Sequence, residues 1–470
     1  MTGGTVLAPL AALVIGTILV LLAEAFLQSE NKTPLAVISL ATLVIAGIFA
    51  GLLWGRGAQA FGGLLRWDDA ALFLAFLFLA AGAFAILLGM RFLIQQEMNH
   101  GEFYGLMLLA VTGLVIMTAT VNLLVVFLGL EVFSVSSYAL AGLKRRDERS
   151  VESAIKYFLI GSFAGAFIVF GLALLYGGAR TLDAPALPAA ISSSLALAGL
   201  ALVICGLAFK IALVPFHMVQ PDVYEGAPTP VTAFFVVAPK AAGFVVLLRL
   251  LIPYAQDGLK KEAVFSFLAG IAVATMILGN FAALRQRNLK RILAYSSIAQ
   301  AGYMLIAVVA GDPSGLLFYL TNYLFLGIGA FGAMIALGGP GREALDLDDL
   351  AGVGRRYPWI GGIFAVILVS LAGFPPTGGF LAKFYVFSAA VRAGHLILAL
   401  VGVLTSLVSV YYYLRIVVVM FMKEPDQEPA VDTENPAVYL VLLICLYAVL
   451  QLGLFPGNIV TLIRQAAASF

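Results

Sequence analysis

The chain has 470 residues, of which 62% are hydrophobic and 11% are charged, and its mean hydropathy is +1.05. Soluble domains carry about 25% charged residues, so this composition excludes a soluble protein. Apolar runs long enough to cross a bilayer recur along the sequence, whereas the roughly ten-residue alternating segments of a membrane β-barrel are absent. The sequence therefore predicts an all-α polytopic membrane protein. Its net charge of +2 gives no indication of a nucleic-acid partner.

Candidate membrane spans follow one another along the whole chain. There are fourteen, near residues 5–27, 34–54, 70–92, 104–120, 121–142, 153–176, 195–218, 230–254, 263–284, 291–310, 315–337, 358–391, 396–420 and 437–456. No basic residue precedes the first span, since the first Lys or Arg is Lys32, so we expect a retained helix and not a cleaved signal peptide. The fourth and fifth spans run together, with the segment TATVN as the predicted turn.

Two of these spans contain helix-breaking residues. Pro215 interrupts the seventh within FKIALVPFHMVQPDVYEGAPTP, and Pro375 and Pro376 break the twelfth within AGFPPTGGFLAKFYVF. The two breaks are separated by five spans, and an odd number of spans reverses the orientation of a repeated unit in the membrane. Paired proline-interrupted segments are typical of inverted-repeat transporters. We therefore predict two inverted five-helix repeats, helices 4–8 and 9–13, with segment boundaries of 1–100, 101–255, 256–422 and 423–470.

The basic residues of the loops predict the orientation. With the N-terminus placed outside, Lys and Arg are twice as frequent in the inner loops as in the outer loops, mainly because of residues 144–149 and 285–291. Since basic loops stay on the cytoplasmic side, both termini are expected on the outer side.

Charged residues within the spans are the main functional candidates, because a charge at mid-bilayer costs about 2.5–3.5 kcal/mol on insertion scales. They are Glu131, Lys156, Lys210, Lys240 and Lys383. Burial disfavours an ammonium group and a nearby carboxylate favours it, so moving a countercharge loads or unloads a lysine with a proton. Arginine cannot serve in this way, because it stays protonated. A broken helix adds free backbone groups and room for water.

Several of these residues also have a structural interpretation. Lys156 lies near a span end and could extend its ammonium group to the interface, and Glu131 with Lys210 could be a structural ion pair. His217, after the first break, is either a proton relay or an interfacial histidine bonded to backbone. Arg249 and Arg415 lie near span ends and are expected to be interfacial anchors. The segment YEGAPTP reads as an ordinary turn with a solvated glutamate.

Four motifs carry a family resemblance over essentially the whole chain. GLEVFSVSSY, SAIKYFLIGSF, FKIALVPFHMVQPDVYEGAPTPVTAFF and GFPPTGGFLAKFYVF occur in this order, and together they resemble the antiporter-like membrane subunits of respiratory complex I, most of all the subunit N type. The resemblance implies fourteen helices, the inverted repeat, and broken helices 7 and 12. It also implies a proton relay through the glutamate and four lysines named above. The charged position on the family's helix 12 is lysine in some members and glutamate in others. Lys383 therefore favours subunit N over the other antiporter-like subunits.

The resemblance implies a subunit of a proton-translocating NADH:quinone oxidoreductase in the bacterial inner membrane, with both termini periplasmic. Its partners would be the lipid bilayer and other membrane-arm subunits, both sister antiporter-like subunits and small membrane subunits. No motif for NADH, flavin, iron–sulfur, haem, quinone or metal binding occurs, so redox cofactors are expected in partner subunits. Rival hypotheses are a subunit of a multi-protein cation/proton antiporter, a standalone solute transporter, and a scaffold whose buried charges only lock helix packing.

Overall fold

The structure is a computed structural model that describes residues 3–26, 31–191, 193–253, 258–339, 341, 343–425 and 431–470, with backbone alone at 3 and 258–263. Two predicted boundaries lie outside these residues. They are residue 27, where the first span was expected to end, and residues 254–256, where the eighth span ends and the two repeats meet.

Helices make up nearly all of the described regular structure. In chain order they are α1 (Gly3–Phe26), α2 (Thr33–Leu53), α3 (Asp69–Gln95), α4 (Glu102–Thr118), α5 (Leu123–Ala141), α6 (Glu148–Ala179), α7 (Leu187–Ala190), α8 (Ser194–Lys210), α9 (Gln220–Gly226), α10 (Thr229–Leu251), α11 (Gly258–Leu284), α12 (Leu289–Val309), α13 (Pro313–Ala336), α14 (Val353–Arg356), α15 (Pro358–Ala372), α16 (Gly378–Arg392), α17 (Leu396–Met422), α18 (Pro436–Leu454) and α19 (Gly457–Ala467). In the described part of the chain, eleven helices are long and apolar enough to cross a membrane. The chain is therefore an all-α, multi-pass membrane protein.

A short hairpin forms the one β-sheet in the described residues, and the all-α prediction did not include it. The strands β1 (Ala58–Ala60) and β2 (Leu65–Trp67) pair antiparallel between α2 and α3. Gly62 and Gly63 have positive φ in the turn, a backbone conformation that glycine adopts without steric conflict. Trp67 anchors the hairpin, because its Nε1 donates a 2.8 Å hydrogen bond to the Val6 carbonyl. Strands of three residues are too short to give a readable alternation in the sequence.

Both predicted helix interruptions are present. α8 and α9 are separated by residues 211–219, and α15 and α16 by residues 373–377. Each break contains a cis X–Pro peptide bond, at Pro215 and at Pro376. The chain direction changes at a residue with positive φ in each case, Ala212 and Gly373.

Four short helices were not predicted, namely α7, α9, α14 and α19. α9 begins directly after the first break and includes the first three residues of YEGAPTP, so the predicted turn is limited to Ala227 and Pro228. Val223 and Tyr224 are buried on one side of this helix. α19 follows α18, which had been predicted to be the last element, and packs on α3 and α13 through Ile463 and Ala466. α7, α9 and α14 have four to seven residues, which is too short for hydrophobic periodicity to be read, whereas the 11 residues of α19 do carry apolar side chains at helical spacing.

The core of the molecule surrounds α10. Its spanning segment is completely buried, those of α12 and α13 are almost completely buried, and α10 packs against α3, α4, α8, α12 and α13. By contrast, α1, α2 and α17 expose apolar side chains, as expected of helices that face lipid or another subunit. The centre of α10 is therefore shielded from lipid on all sides, and it carries Lys240.

Small residues bring the backbones of neighbouring helices together. A Cβ added to Gly113 of α4 would lie 2.4 Å from a backbone nitrogen of α5, and Gly129 of α5 faces α4 in the same way at 2.6 Å. Gly171 of α6 and Gly199 of α8 form a second such contact, at 2.8 Å and 2.5 Å from backbone atoms. In a bilayer, close packing of this kind is a principal source of helix association, since lipid tails are as apolar as the side chains.

Candidate functional site

Lys240 lies at the centre of the bundle and is only 1% exposed. Its Nζ donates hydrogen bonds to the carbonyl oxygen of Ser297, at 2.6 Å, and to the hydroxyl of the same residue on α12. Among the described residues, no carboxylate oxygen lies within 4.0 Å of this ammonium group. Lys240 is therefore a buried lysine with neutral oxygen partners, an arrangement in which the charged and neutral forms can both be accommodated.

Lys210 ends α8 at the first break and is half-buried. Its Nζ donates to Ser134 Oγ at 2.8 Å and lies 3.4 Å from the hydroxyl of Tyr138, both on α5. Glu131 lies on the same face of α5, one turn before Ser134, and its carboxylate faces Gly165 of α6. The predicted pair of Glu131 with Lys210 is not a contact ion pair in this structure. Two hydroxyl groups of α5 hold the ammonium instead, and the carboxylate acts on it only from a distance.

A small cavity joins the first two lysines. It has a volume of about 40 Å³ and is lined by Lys210 and Lys240 together with Tyr157, Gln220 and Tyr224. A cavity holds one water molecule when this volume reaches about 10–15 Å³ and polar groups are within reach. Both conditions are met here, so a few water molecules can link the two ammonium groups.

Lys383 follows the second break and is 5% exposed. Its Nζ donates to the carbonyl oxygens of Leu371, at 3.0 Å, and Ala372, at 2.9 Å, and to Ser406 Oγ at 2.8 Å. The ring of Tyr303 lies 5.1 Å away, within range of a cation–π contact. No carboxylate oxygen lies within 4.0 Å of Lys383 in the part of the chain that the structure describes.

A network of neutral polar side chains lies between Lys240 and Lys383. Ser296, next to the residue that binds Lys240, shares a hydrogen bond with the hydroxyl of Tyr413. Gln300 Nε2 lies 3.3 Å from that hydroxyl and 3.3 Å from the Leu371 carbonyl, which also accepts from Lys383. The Gln300 carbonyl in turn accepts from Tyr319. Sequence reasoning missed this network, because buried Ser, Gln and Tyr carry no charge signal and lie on three separate helices.

Charged residues cluster at one end of the bundle, where α6, α9 and α12 meet. Lys156 pairs with Glu152 at 2.7 Å and with Asp222 of α9 at 2.8 Å. Arg291 of α12 bridges Asp222 and Glu225, both at 2.9 Å. The expected solvated state of Glu225 was therefore wrong, because α9 turns its carboxylate towards a guanidinium. The Lys156 side chain is 42% exposed and is also paired within this cluster. It therefore combines the features of an interfacial lysine with those of a member of the charged cluster.

His217 lies in the first break, away from these pairs. It is half-buried, and its Nδ1 is buried without a hydrogen-bond partner among the described residues. Its carbonyl oxygen accepts from Gln220 at the start of α9. The imidazole interacts with the backbone of Pro215, as the interpretation of a backbone-bonded histidine expects, and the relay interpretation of His217 stays a prediction.

Arg249 was expected to be an interfacial anchor, but it forms a buried ion pair. This residue is 8% exposed, and its guanidinium contacts Asp68 at 2.5 Å and the carbonyls of Thr118 and Thr120. It ties α10 to the start of α3 and is not an interfacial anchor. At the opposite end of α10, Lys290 pairs with Glu343 at 2.9 Å. Burial raises the pKa of Glu343, but Lys290 and the hydroxyl of Thr229, with a smaller effect from Lys144, hold this pKa below its ordinary value.

Among the described residues, no group of three or more His, Cys, Asp or Glu side chains is arranged to hold a metal ion. Cys205 and Cys445 are both free thiols on different helices. The candidate site therefore consists of ammonium groups, hydroxyls, amides and opened backbone, which can hold and pass protons.

Comparisons with known proteins identify the family of the chain. A family model described as "NADH:quinone oxidoreductase/Mrp antiporter, TM" matches residues 120–409, a range that contains the sequence-predicted residues Glu131, Lys156, Lys210, His217, Lys240 and Lys383. NADH-quinone oxidoreductase subunit N of Trichlorobacter lovleyi is 41% identical over 455 residues, covering 95% of this chain and 93% of that protein.

Two solved structures are also similar. A chain of respiratory complex I from Thermus thermophilus has a TM-score of 0.83 at 34% identity, covering 96% of this chain and 98% of that one. A chain of the Mrp complex from Dietzia sp. has a TM-score of 0.86 at 22% identity, covering 100% and 98%, and shows the fold alone. The chain belongs to the NADH:quinone oxidoreductase/Mrp antiporter family, among relatives that are NADH-quinone oxidoreductase subunit N.

Proposed function

We propose that this chain is a proton-translocating membrane-arm subunit of NADH:quinone oxidoreductase. Quinone reduction takes place elsewhere in the complex, and this chain couples it to proton pumping. NADH, FMN, iron–sulfur clusters and quinone are bound by partner subunits, and none by this chain. The observation that carries the proposal is the series Lys210, Lys240 and Lys383, whose ammonium groups are hydrogen-bonded to hydroxyl and carbonyl oxygens and, among the described residues, to no carboxylate.

Among the described residues, these three lysines have no permanent counterion. A lysine that is paired with a carboxylate stays charged, whereas one held by neutral oxygens responds to charges that move nearby. Glu131 is placed to be such a charge for Lys210, and the cavity connects Lys210 to Lys240. The network through Gln300 then leads to Lys383, the proposed terminal donor towards the outer side. Lys156 would couple to a neighbouring subunit, and His217 is a possible relay.

We further propose fourteen spans arranged as two inverted repeats, helices 4–8 and 9–13. An isolated antiparallel bridge joins Asn122 to Asp183, and another joins Asn288 to Asp346. Each asparagine caps the second helix of its proposed unit, and the two are separated along the chain by nearly the same distance as the two breaks. This correspondence supports the repeat and the segments 1–100, 101–255, 256–422 and 423–470, the last now holding α18 and α19.

The proposed setting is the bacterial inner membrane, with both termini periplasmic. The partners are small membrane subunits and sister antiporter-like subunits of the membrane arm, and the exposed apolar faces of the outer helices would contact these partners or lipid. The basic cluster around Arg149 and Arg291 would then lie on the cytoplasmic side, as the loop charges require.

Substitutions in the assembled complex test the relay. Lys240→Ala and Lys383→Ala should abolish proton pumping while the complex still assembles, and Lys423→Ala, at an exposed lysine paired with Asp348, is the control. Pumping at the wild-type level, in complex present at wild-type amounts, would contradict the proposal. Glu131→Gln should impair coupled turnover more than assembly, and the reverse would favour a structural role for the carboxylate.

The rival function is a subunit of a multi-protein cation/proton antiporter, which has the same fold. The identity of 41% to a subunit N, against 22% to a chain of the Mrp complex, favours the first proposal. Purification of the tagged chain under mild conditions discriminates between them. Iron–sulfur and flavin subunits should co-purify; sodium-dependent transport without them would support the rival.

A further inference from the structure

The two helix breaks differ in how they satisfy the last carbonyl groups of the first half-helix. At the end of α8, backbone N–H groups of residues 211–213 return to the carbonyls of Leu207, Ala208 and Phe209. At the end of α15, the backbone N–H groups of Gly373 and Phe374 donate to the carbonyls of Val369 and Ser370. The carbonyls of the last two residues of α15 are therefore left to other donors.

Those carbonyls form part of an oxygen-rich pocket. Leu371 and Ala372 lie at the C-terminal, negative end of the α15 dipole, where a cation is favoured. Ser406 Oγ adds a third oxygen, and the face of Tyr303 adds a fourth cation-attracting group. The distances of 2.8–3.0 Å from Lys383 Nζ are those of an ammonium ion hydrogen-bonded to three oxygens.

We propose that the end of α15, Ser406 and Tyr303 form a monovalent-cation site, which Lys383 fills with a tethered ammonium group. Half-helix C-termini and unwound carbonyls are the groups that coordinate transported cations in broken-helix transporters. In this chain the cation is covalently attached, so it cannot leave, and only its proton can. Lys383 would thus determine that the second break handles protons and not free cations. The role of this site in proton transfer rests on the proposed function, whereas the binding of a cation at the site can be measured independently of it.

The shape of the site suggests the probe. Lys383→Ala removes Cγ, Cδ, Cε and Nζ, the four heavy atoms of n-propylammonium. The site adjoins a groove of about 790 Å³, in which Lys383, Ser388, Arg392 and Ser406 are the polar lining residues and most of the others are apolar residues of α16 and α17. Neutral propylamine can enter through this groove before it is protonated. Lys383→Met is the matched control, since it removes the same charge but keeps the space filled.

The first measurement is equilibrium binding of radiolabelled n-propylammonium to the purified complex. Lys383→Ala should bind one equivalent in excess of wild type, and Lys383→Met none. Methylammonium should bind roughly tenfold more weakly, because it buries two fewer methylene groups. Absence of excess binding to Lys383→Ala would overturn the inference, as would equal binding to Lys383→Met. If Lys383→Ala does not assemble, Lys383→Ser provides the same test, and absence of binding there has the same meaning.

The second measurement is proton pumping with propylamine present. Lys383→Ala should regain pumping as the amine concentration rises, while Lys383→Met and Lys240→Ala should not. A variant that binds the amine but pumps normally without it would contradict the proposed relay and leave the cation site intact. A variant that loses pumping but neither binds nor is rescued would contradict the cation site and leave the relay intact.

Discussion

Glycines along α6 set the position of the functional face of α5. A Cβ added at Gly161 would lie 2.2 Å from the hydroxyl of Tyr138, the residue that supports Lys210. One added at Gly165 would lie 3.0 Å from Oε1 of Glu131. At Gly177, further along the same helix, it would meet only a leucine methyl at 3.6 Å, an ordinary contact. Alanine substitutions at these three positions form a graded series.

The distances predict the order in which the three alanine substitutions affect stability. Ordinary contact begins at 3.4 Å, so the Glu131 carboxylate must give by only a few tenths of an ångström, whereas the Tyr138 hydroxyl must move much further. The Tyr138 ring is packed against Tyr157 at 4.9 Å, so this movement is resisted. Overpacking costs about 1–3 kcal/mol, whereas replacing a helical glycine by alanine gains about 1 kcal/mol. Gly177→Ala should therefore stabilise the chain, Gly165→Ala should be near neutral, and Gly161→Ala should destabilise it by up to about 2 kcal/mol.

The thermal unfolding midpoint of the purified protein in detergent measures the stability order, and protons pumped per electron transferred measure the functional effect. We expect both Gly161→Ala and Gly165→Ala to lower the pumping ratio, because each displaces a group near Lys210, and Gly177→Ala to leave it unchanged. A Gly161→Ala protein as stable and as well coupled as Gly177→Ala would refute this account of the α5–α6 contact.

Three further predictions concern other parts of the molecule. Asp68→Ala should lower the free energy of unfolding by about 3–5 kcal/mol, because it leaves Arg249 buried without its carboxylate. Adding Arg249→Leu to Asp68→Ala should cause only a small further loss. Thermal unfolding midpoints that show additive losses would contradict the pairing. Gln300→Leu should lower the number of protons pumped per electron by the share that this chain contributes, because it removes the amide that joins the Tyr413 hydroxyl to the Leu371 carbonyl; an unchanged ratio would exclude Gln300 from the relay. Asp147→Ala should cost about 0.5–2 kcal/mol at neutral pH, because Asp147 caps α6. Although burial raises the pKa of Asp147, Lys144 and two backbone N–H groups lower it below its ordinary value. Its contribution is thus present above about pH 3.9 and should vanish as the pH falls further; a stability difference that persists in acid would argue against this cap.

The sequence by itself determined the class of the protein, the approximate positions of its helices and the two interruptions. These features follow from local properties, because hydropathy over about 20 residues decides whether a segment can cross a bilayer and proline breaks a helix wherever it occurs. The candidate lysines were identifiable for the same reason, since a charge within an apolar segment is expensive wherever the helix packs. The hairpin and the short helices α7, α9 and α14 were not predicted, because they lack the length for a periodic pattern, whereas α19 has apolar residues at helical spacing and was overlooked.

Only the tertiary structure decided which groups each lysine contacts. Lys210 is held by Ser134 and not by Glu131, because the rotation of α5 against α8 aims the hydroxyl, and not the carboxylate, at the ammonium. Lys383 is held by backbone carbonyls whose availability depends on how the chain turns at Gly373, and Gln300 joins helices that lie far apart in sequence. Such contacts depend on helix register and rotation, which are set by packing across the whole bundle and by the small residues that let backbones approach.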